Sequence, residues 1–143
     1  MGLASIAVTA AVAIAANGAF KDIVTPVENI KFPPLQPLGT STAVGVELWK
    51  DSATGRLSEL IKMTRGTSPR HYHTFDYQMV VVKGSMTHST DRLPEADATR
   101  LGPGSYWFQP ANVVHQSTCL VDECIIFWNT FAGGETKNVE SEK

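Results

Sequence analysis

The feature that most constrains this chain is its punctuation. From residue 42 onward, short apolar and β-branched runs alternate with Gly, Pro and Asp, and nothing between them is long enough or suitably periodic for a convincing helix. "TAVGVELW" (42–49), "RLSELIKMT" (56–64), "YQMVVVK" (77–83), "SYWF" (105–108) and "ECIIFWNTF" (123–131) all read as extended segments. "KDSATG", Gly66 with Ser68 and Pro69, Gly84, and "GPG" (102–104) are the turns between them. "RLSELIKMT" also fits a helical turn by spacing, and "VENIKF" (27–32) is a further short strand candidate. Many short strands divided by turn residues predict an all-β sandwich or barrel. At 143 residues the chain makes one domain with a sizeable core.

Composition removes some function classes. Hydrophobic residues make up 43% and charged residues 18%, a globular balance, and the formal net charge is −2. No run of Lys or Arg offers the basic patch that a nucleic-acid partner needs. The opening "MGLASIAVTAAVAIAANGAF" is uncharged from Ala4 to Ala16 and too short to span a bilayer, which takes ~20 apolar residues. It fits the apolar core of a secretory signal, with Ala13-Ile14-Ala15 as a small-x-small cleavage pattern, although no Lys or Arg precedes it. A buried strand or helix of the mature domain is the alternative. The expected organisation is an apolar leader over 1–19, an arm over 20–40, a barrel over 41–132 and a flexible tail over 133–143, with no membrane span in the mature domain and a periplasmic or secreted location; failing a signal, the location is cytoplasmic.

Cys119 and Cys124 bracket "LVDE" between two apolar runs, a pattern that suggests a hairpin with the sulfurs facing each other. They form a disulfide in an oxidising compartment, or else remain two ordinary buried thiols. With no second Cys pair in the chain they are a poor zinc signal.

The chemistry concentrates in "RHYHTFDYQMVVVKG" (70–84). His71 and His73 are two apart, so on an extended chain they point the same way, and two imidazoles on one face chelate a divalent metal. If the turn "TFDY" brings the next strand alongside, the Gln78 amide oxygen reaches the same point. Gln78 reads equally as a partner that orients a ligand, and Tyr77 substitutes for it if the turn is one residue shorter. His115 comes from a distant segment, where Pro110 and Asn112 turn the chain into the following strand. Imidazole suits Fe, Mn, Ni, Cu or Zn, and open coordination positions favour a reactive or ligand-binding centre over a structural staple. His88 reads as a loop or rim residue, and Asp76 and Asp91 as turn residues. In "SYWFQP", Tyr106 and Phe108 share a face opposite Trp107 and are core residues first and substrate-cavity candidates second.

These residues carry a resemblance. "GTSPRHYHTFDYQMVVVKG" resembles the first motif of the cupin superfamily: Gly, His-x-His, four residues, usually Glu, then an apolar strand ending in Gly. "GSYWFQPANVVHQSTC" resembles the second: Gly, five residues, Pro, a turn position, His, and finally a position that is usually Asn. The motifs stand in family order and, with their flanking strands, cover roughly residues 40–130. The chain is similar to small secreted bacterial cupins and, less closely, to the cupin part of zinc-dependent anti-sigma factors.

The resemblance implies a single conical cupin barrel, a double-stranded β-helix or jelly roll, often paired into a homodimer by exchange of N-terminal strands. It implies one divalent metal at His71, His73 and His115. Two positions depart from the pattern: Gln78 stands where Glu is usual, and Cys119 where Asn is usual. A neutral Gln leaves the metal site one unit more positive and removes an obvious base. The expected function is a metal-dependent enzyme of oxygenase, lyase or isomerase type on a small organic molecule. The alternative is a metal- or metabolite-binding sensor module.

Overall fold

The computed structural model describes residues 22–139; the predicted leader lies outside them. Among the described residues no helix is long and apolar enough to cross a membrane. Nine strands follow in chain order: β1 (Gln36–Leu38), β2 (Ser41–Lys50), β3 (Leu57–Thr67), β4 (His71–His73), β5 (Tyr77–Lys83), β6 (Met86–Thr90), β7 (Tyr106–Gln109), β8 (His115–Thr130) and β9 (Thr136–Asn138). All pairings are antiparallel.

β8 organises the barrel. Its sixteen residues pair with β3 and then β4 along one edge, and with β5 and then β6 along the other. β2 extends the sheet beyond β3, and β7 extends it beyond β5. The period-2 alternation of β5 sets the concave face: Tyr77, Met79 and Val81 are buried, while Gln78 and Val80 point outward. Met63, Phe75, Met86, Cys119, Cys124 and Ile126 complete the buried core, with Trp107 and Trp128 packed against it. Large side chains dominate this core, and truncating one such as Met86 to Ala costs about 2–5 kcal/mol.

Four expectations change here. "VENIKF" is not a strand: Val27–Asn29 forms a single 3₁₀ turn in an exposed arm. The arm is fastened to the convex face by Phe32, whose ring lies under the Lys62 ammonium at 4.5 Å. Gly66 does not break β3 but lies within it at φ 134°, where a Cβ would come 2.5 Å from the Thr40 carbonyl oxygen.

The expected hairpin at the cysteines is instead one strand with a bulge. β3 and β8 stay antiparallel on both sides of it, but Thr64 pairs with Glu123 and Gly66 with Cys119, so one residue of β3 faces three of β8. That compression brings the Cys119 and Cys124 Cα atoms to 6.0 Å, and their sulfurs are bonded. Finally, the predicted tail is not loose at its start. Thr136–Asn138 pairs with β4 residue for residue, because β4 is short and would otherwise leave an open sheet edge.

Candidate metal centre

The two histidine motifs meet because β4 and the start of β8 are neighbours. His71 and His115 are direct cross-strand partners, and their ring centroids are 4.3 Å apart. His73, two residues along the same face, lies 5.0 Å from His71 and 5.3 Å from His115 by ring centroid. One ring nitrogen from each of the three lies within 4.8 Å of the other two. The loops carrying the motifs are clipped together: the Asn112 N–H donates to the His73 carbonyl at 2.8 Å, and the Ala111 N–H donates to Asp76 Oδ1 at 2.7 Å. Asp76 is therefore a clamp as well as a turn residue. Asn112 holds φ 62°, a left-handed conformation that Asn tolerates better than most residues and that the turn into β8 requires.

Each imidazole is oriented from behind. His71 Nδ1 donates to the Pro69 carbonyl at 2.7 Å, and His115 Nδ1 donates to the Val113 carbonyl at 2.8 Å. A carbonyl only accepts, so these bonds place the proton on Nδ1 and leave Nε2 unprotonated in both rings; in His115 that nitrogen accepts from the Tyr77 hydroxyl. His73 Nδ1 pairs with Thr136 Oγ1 at 2.8 Å, a contact supplied by β9. Burial first, then the neighbouring His71, holds His73 down to about 4. Burial first, with smaller contributions from His71, His88 and His73, holds His115 down to about 3. Burial also lowers His71. Three buried imidazoles with anchored backs fit a divalent transition metal, which would take the place of the Tyr77 hydroxyl at His115 Nε2, and the anchors are the kind that metal-ligating histidines have.

The remaining predicted residues are placed differently. Gln78 is not with the triad. The inward alternation runs on through the turn as His73, Phe75, Tyr77, so residue 78 falls on the convex side, where its Oε1 accepts a long 3.4 Å hydrogen bond from the Tyr106 hydroxyl. The motif count assumed a turn one residue longer than the one formed. Tyr77 takes the inward position, its hydroxyl 2.9 Å from His115 Nε2, and burial pushes its phenol above the ordinary range.

Tyr106 and Phe108 are not cavity residues. They point outward, 56% and 47% exposed, and Trp107 and Gln109 face inward in their place. His88 is also closer to the site than a rim residue would be. Its ring stacks on Trp107 at 5.0 Å and lies 5.2 Å from that of His115, and its Nε2 meets Gln109 Oε1 at 2.7 Å. The signal for His88 was its even spacing from Met86, the most buried residue of β6.

The triad opens on a cavity of about 210 Å³, walled largely by Leu38, Ile61, Met63, Met79, Ile126 and Trp128, with no Asp, Glu, Lys or Arg among the described residues of its lining. Glu59 lies across from Trp128 on β3 but outside that wall, and burial followed by Glu47 raises its pKa. The indole nitrogens of Trp107 and Trp128 are buried without a hydrogen-bond partner among the described residues. Each such orphaned donor costs about 1–3 kcal/mol.

A curled antiparallel barrel with His-x-His on one strand and a third histidine from a late strand meeting inside it defines a cupin. The chain belongs to the ChrR cupin-like domain family, whose model matches residues 8–132. Its fold is shared with an acetylacetone dioxygenase from Acinetobacter johnsonii: 17% identity, TM-score 0.65, 99% of this chain and 86% of that one. The polyketide cyclase RemF from Streptomyces resistomycificus matches at 17% identity and TM-score 0.63, over 84% of this chain and 87% of its own. The DMSP lyase DddQ from Ruegeria pomeroyi DSS-3 matches at 18% identity and TM-score 0.59, over 70% of this chain, which spans 54% of the lyase. No curated protein matches the sequence.

Proposed function

We propose that this chain is a metal-dependent cupin enzyme acting on a small organic molecule, with one divalent metal held by His71, His73 and His115. The observation that carries the reading is the convergence of three imidazoles, two of them with Nδ1 on a backbone carbonyl and the third with Nδ1 on Thr136, in the wall of a largely apolar cavity. When bound, such a metal supplies Lewis-acid or redox chemistry at positions the protein leaves open. The chain's own part is to orient the ligands, exclude water and hold a proton. With no carboxylate in the cavity wall, that proton sits at Tyr77 Oη, beside His115 Nε2. The dioxygenase, cyclase and lyase among the fold's relatives support an enzyme class, but at under 25% identity they carry over neither substrate nor metal.

The Cys119–Cys124 bond and the apolar leader together support a place outside the cytoplasm. An apolar stripe on the convex face supports a homodimer. It runs across register partners from Tyr106 through Val80 and Phe127 to Leu60, with Phe108 packed on Phe131 beside it, and a second copy presents the same self-complementary surface.

The test is elemental analysis of the purified protein, followed by a screen for O₂ consumption and product formation with small diketones, thiols and phenols. We expect one metal per chain, lost with turnover in His71→Ala. Tyr77→Phe keeps the metal and lowers turnover by about 10²-fold or more. Saturable ligand binding without product would replace the enzyme by a sensor, and no metal under any loading would end both.

A further inference from the structure

Granted the metal site proposed above, β9 stands where access and metal binding meet. It ends the sheet, hydrogen-bonded to β4 alone among the described residues, and Thr136, Lys137 and Asn138 are all exposed. Thr136 and Asn138 nonetheless line the cavity of about 210 Å³, beside His73 and His71, their direct register partners. The strand is thus the cavity's wall and the molecule's surface at once. Thr136 and Trp128 also line a second, outer hollow of about 270 Å³, together with Phe75, Thr130, Gly133 and Gly134. Thr136 therefore stands in the partition between the two hollows.

What holds the strand is mainly backbone. Its ladder with β4 is continued by the Thr74 N–H donating to the Glu135 carbonyl at 3.0 Å and the Val139 N–H donating to the Arg70 carbonyl at 2.9 Å. The Glu135–Lys137 ion pair lies within the segment and moves with it. Exposed backbone bonds with no buried apolar side chain mark a segment that opens at low cost. The loop before it is fixed. The Phe131 N–H donates to the Asp76 carbonyl at 3.1 Å and the Gly133 N–H to the Thr54 carbonyl at 3.0 Å, and a Cβ on Gly133 would come 3.0 Å from Gly55 Cα. Movement therefore begins at Gly134, where the missing side chain leaves the backbone free to turn.

We propose that β9 is a strap that swings out from Gly134, joining the two hollows into one passage, and that each opening frees His73 Nδ1 from Thr136 Oγ1. Entry and the setting of one metal ligand are then a single event: the closed strap holds the His73 ring for the metal, and the open strap releases it.

The test is amide hydrogen exchange on the full chain, metal-free and with Zn²⁺, together with zinc extraction by EDTA. Corrected for intrinsic rates, the β9 amides should exchange about a hundredfold faster than those of β8, and zinc should slow them by about tenfold or more. The double variant Tyr72→Cys/Lys137→Cys locks the strap. The two positions are direct cross-strand partners on the face away from the triad, within the Cα separation of roughly 4.4–6.8 Å that a disulfide spans. Once cross-linked, it should release zinc to EDTA about tenfold more slowly than either single variant. Exchange in β9 as slow as in β8, or zinc released equally fast from the locked protein, would overturn the strap while leaving the metal site standing. Fast β9 exchange that zinc leaves unchanged would overturn the coupling to His73. Zinc absent from the wild type, or retained undiminished by His71→Ala, would overturn the metal site and the coupling with it. Should the cross-link not form, the exchange measurement alone is decisive.

Discussion

At the scale of single residues, the exchange of roles between Gln78 and Tyr77 is the most consequential feature. Gln78 lies on the convex face, so Gln78→Ala should leave metal content at the wild-type level by elemental analysis, whereas His115→Ala should abolish it. A carboxylate position filled by an outward-facing amide removes negative charge from the cavity, and the inward phenol does not restore it while protonated. The buried imidazoles give a second prediction. His73 titrates at about 4 and His115 at about 3 in the folded chain, against 6.5 for an ordinary histidine. Between pH 6.5 and those values the unfolded chain binds more protons than the folded one. Stability of the metal-free protein should therefore fall as pH drops through this window, by up to about 1.4 kcal/mol per unit for each histidine. Melting temperature against pH, in the presence of a chelator, reads it directly; a flat profile from pH 7 to 4 would contradict the neutral, buried state of the triad.

At the scale of elements, β9 is more than an edge cover. It supplies Thr136 Oγ1 to His73 Nδ1, and its residues Thr136 and Asn138 enter the cavity lining. Thr136→Val keeps the shape and removes the contact, so metal affinity measured by chelator competition should fall about tenfold or more. β5 and β6 depend on the glycine between them. Gly84 sits at φ 96°, where a Cβ would come 2.7 Å from the Glu123 carbonyl oxygen and 2.8 Å from Cys124 Sγ. The crossing at the disulfide bulge is tight enough that the turn residue has no alternative.

At the scale of the molecule, the dimer proposed for the convex face is separable from the chemistry of the concave one. Phe108 is exposed there, on the opposite side of β7 from Trp107 and Gln109. Phe108→Asp should convert a dimer to a monomer in light scattering while leaving metal content unchanged. A wild-type protein already monomeric at working concentration would contradict the pairing proposed for this face. The concave face is built by side chains from β3, β5 and β8 together, with Trp107 of β7 packed against them.

The sequence alone determined the all-β class, the strands from 42 to 131 in outline, and the meeting of His71, His73 and His115. Local alternation and turn residues encode the first two, and two spaced motifs encode the third. Tertiary structure decided what a one-residue difference controls: which of Tyr77 and Gln78 faces inward, and which side of "YWFQ" lines the cavity. Period-2 alternation fixes which residues share a face, but not which face is buried; that depends on how tightly the turn at 74–76 closes against the Pro110 loop. The bulge at Cys119–Cys124 and the pairing of β9 with β4 were equally beyond local reading, because each arises from a partner strand distant in sequence.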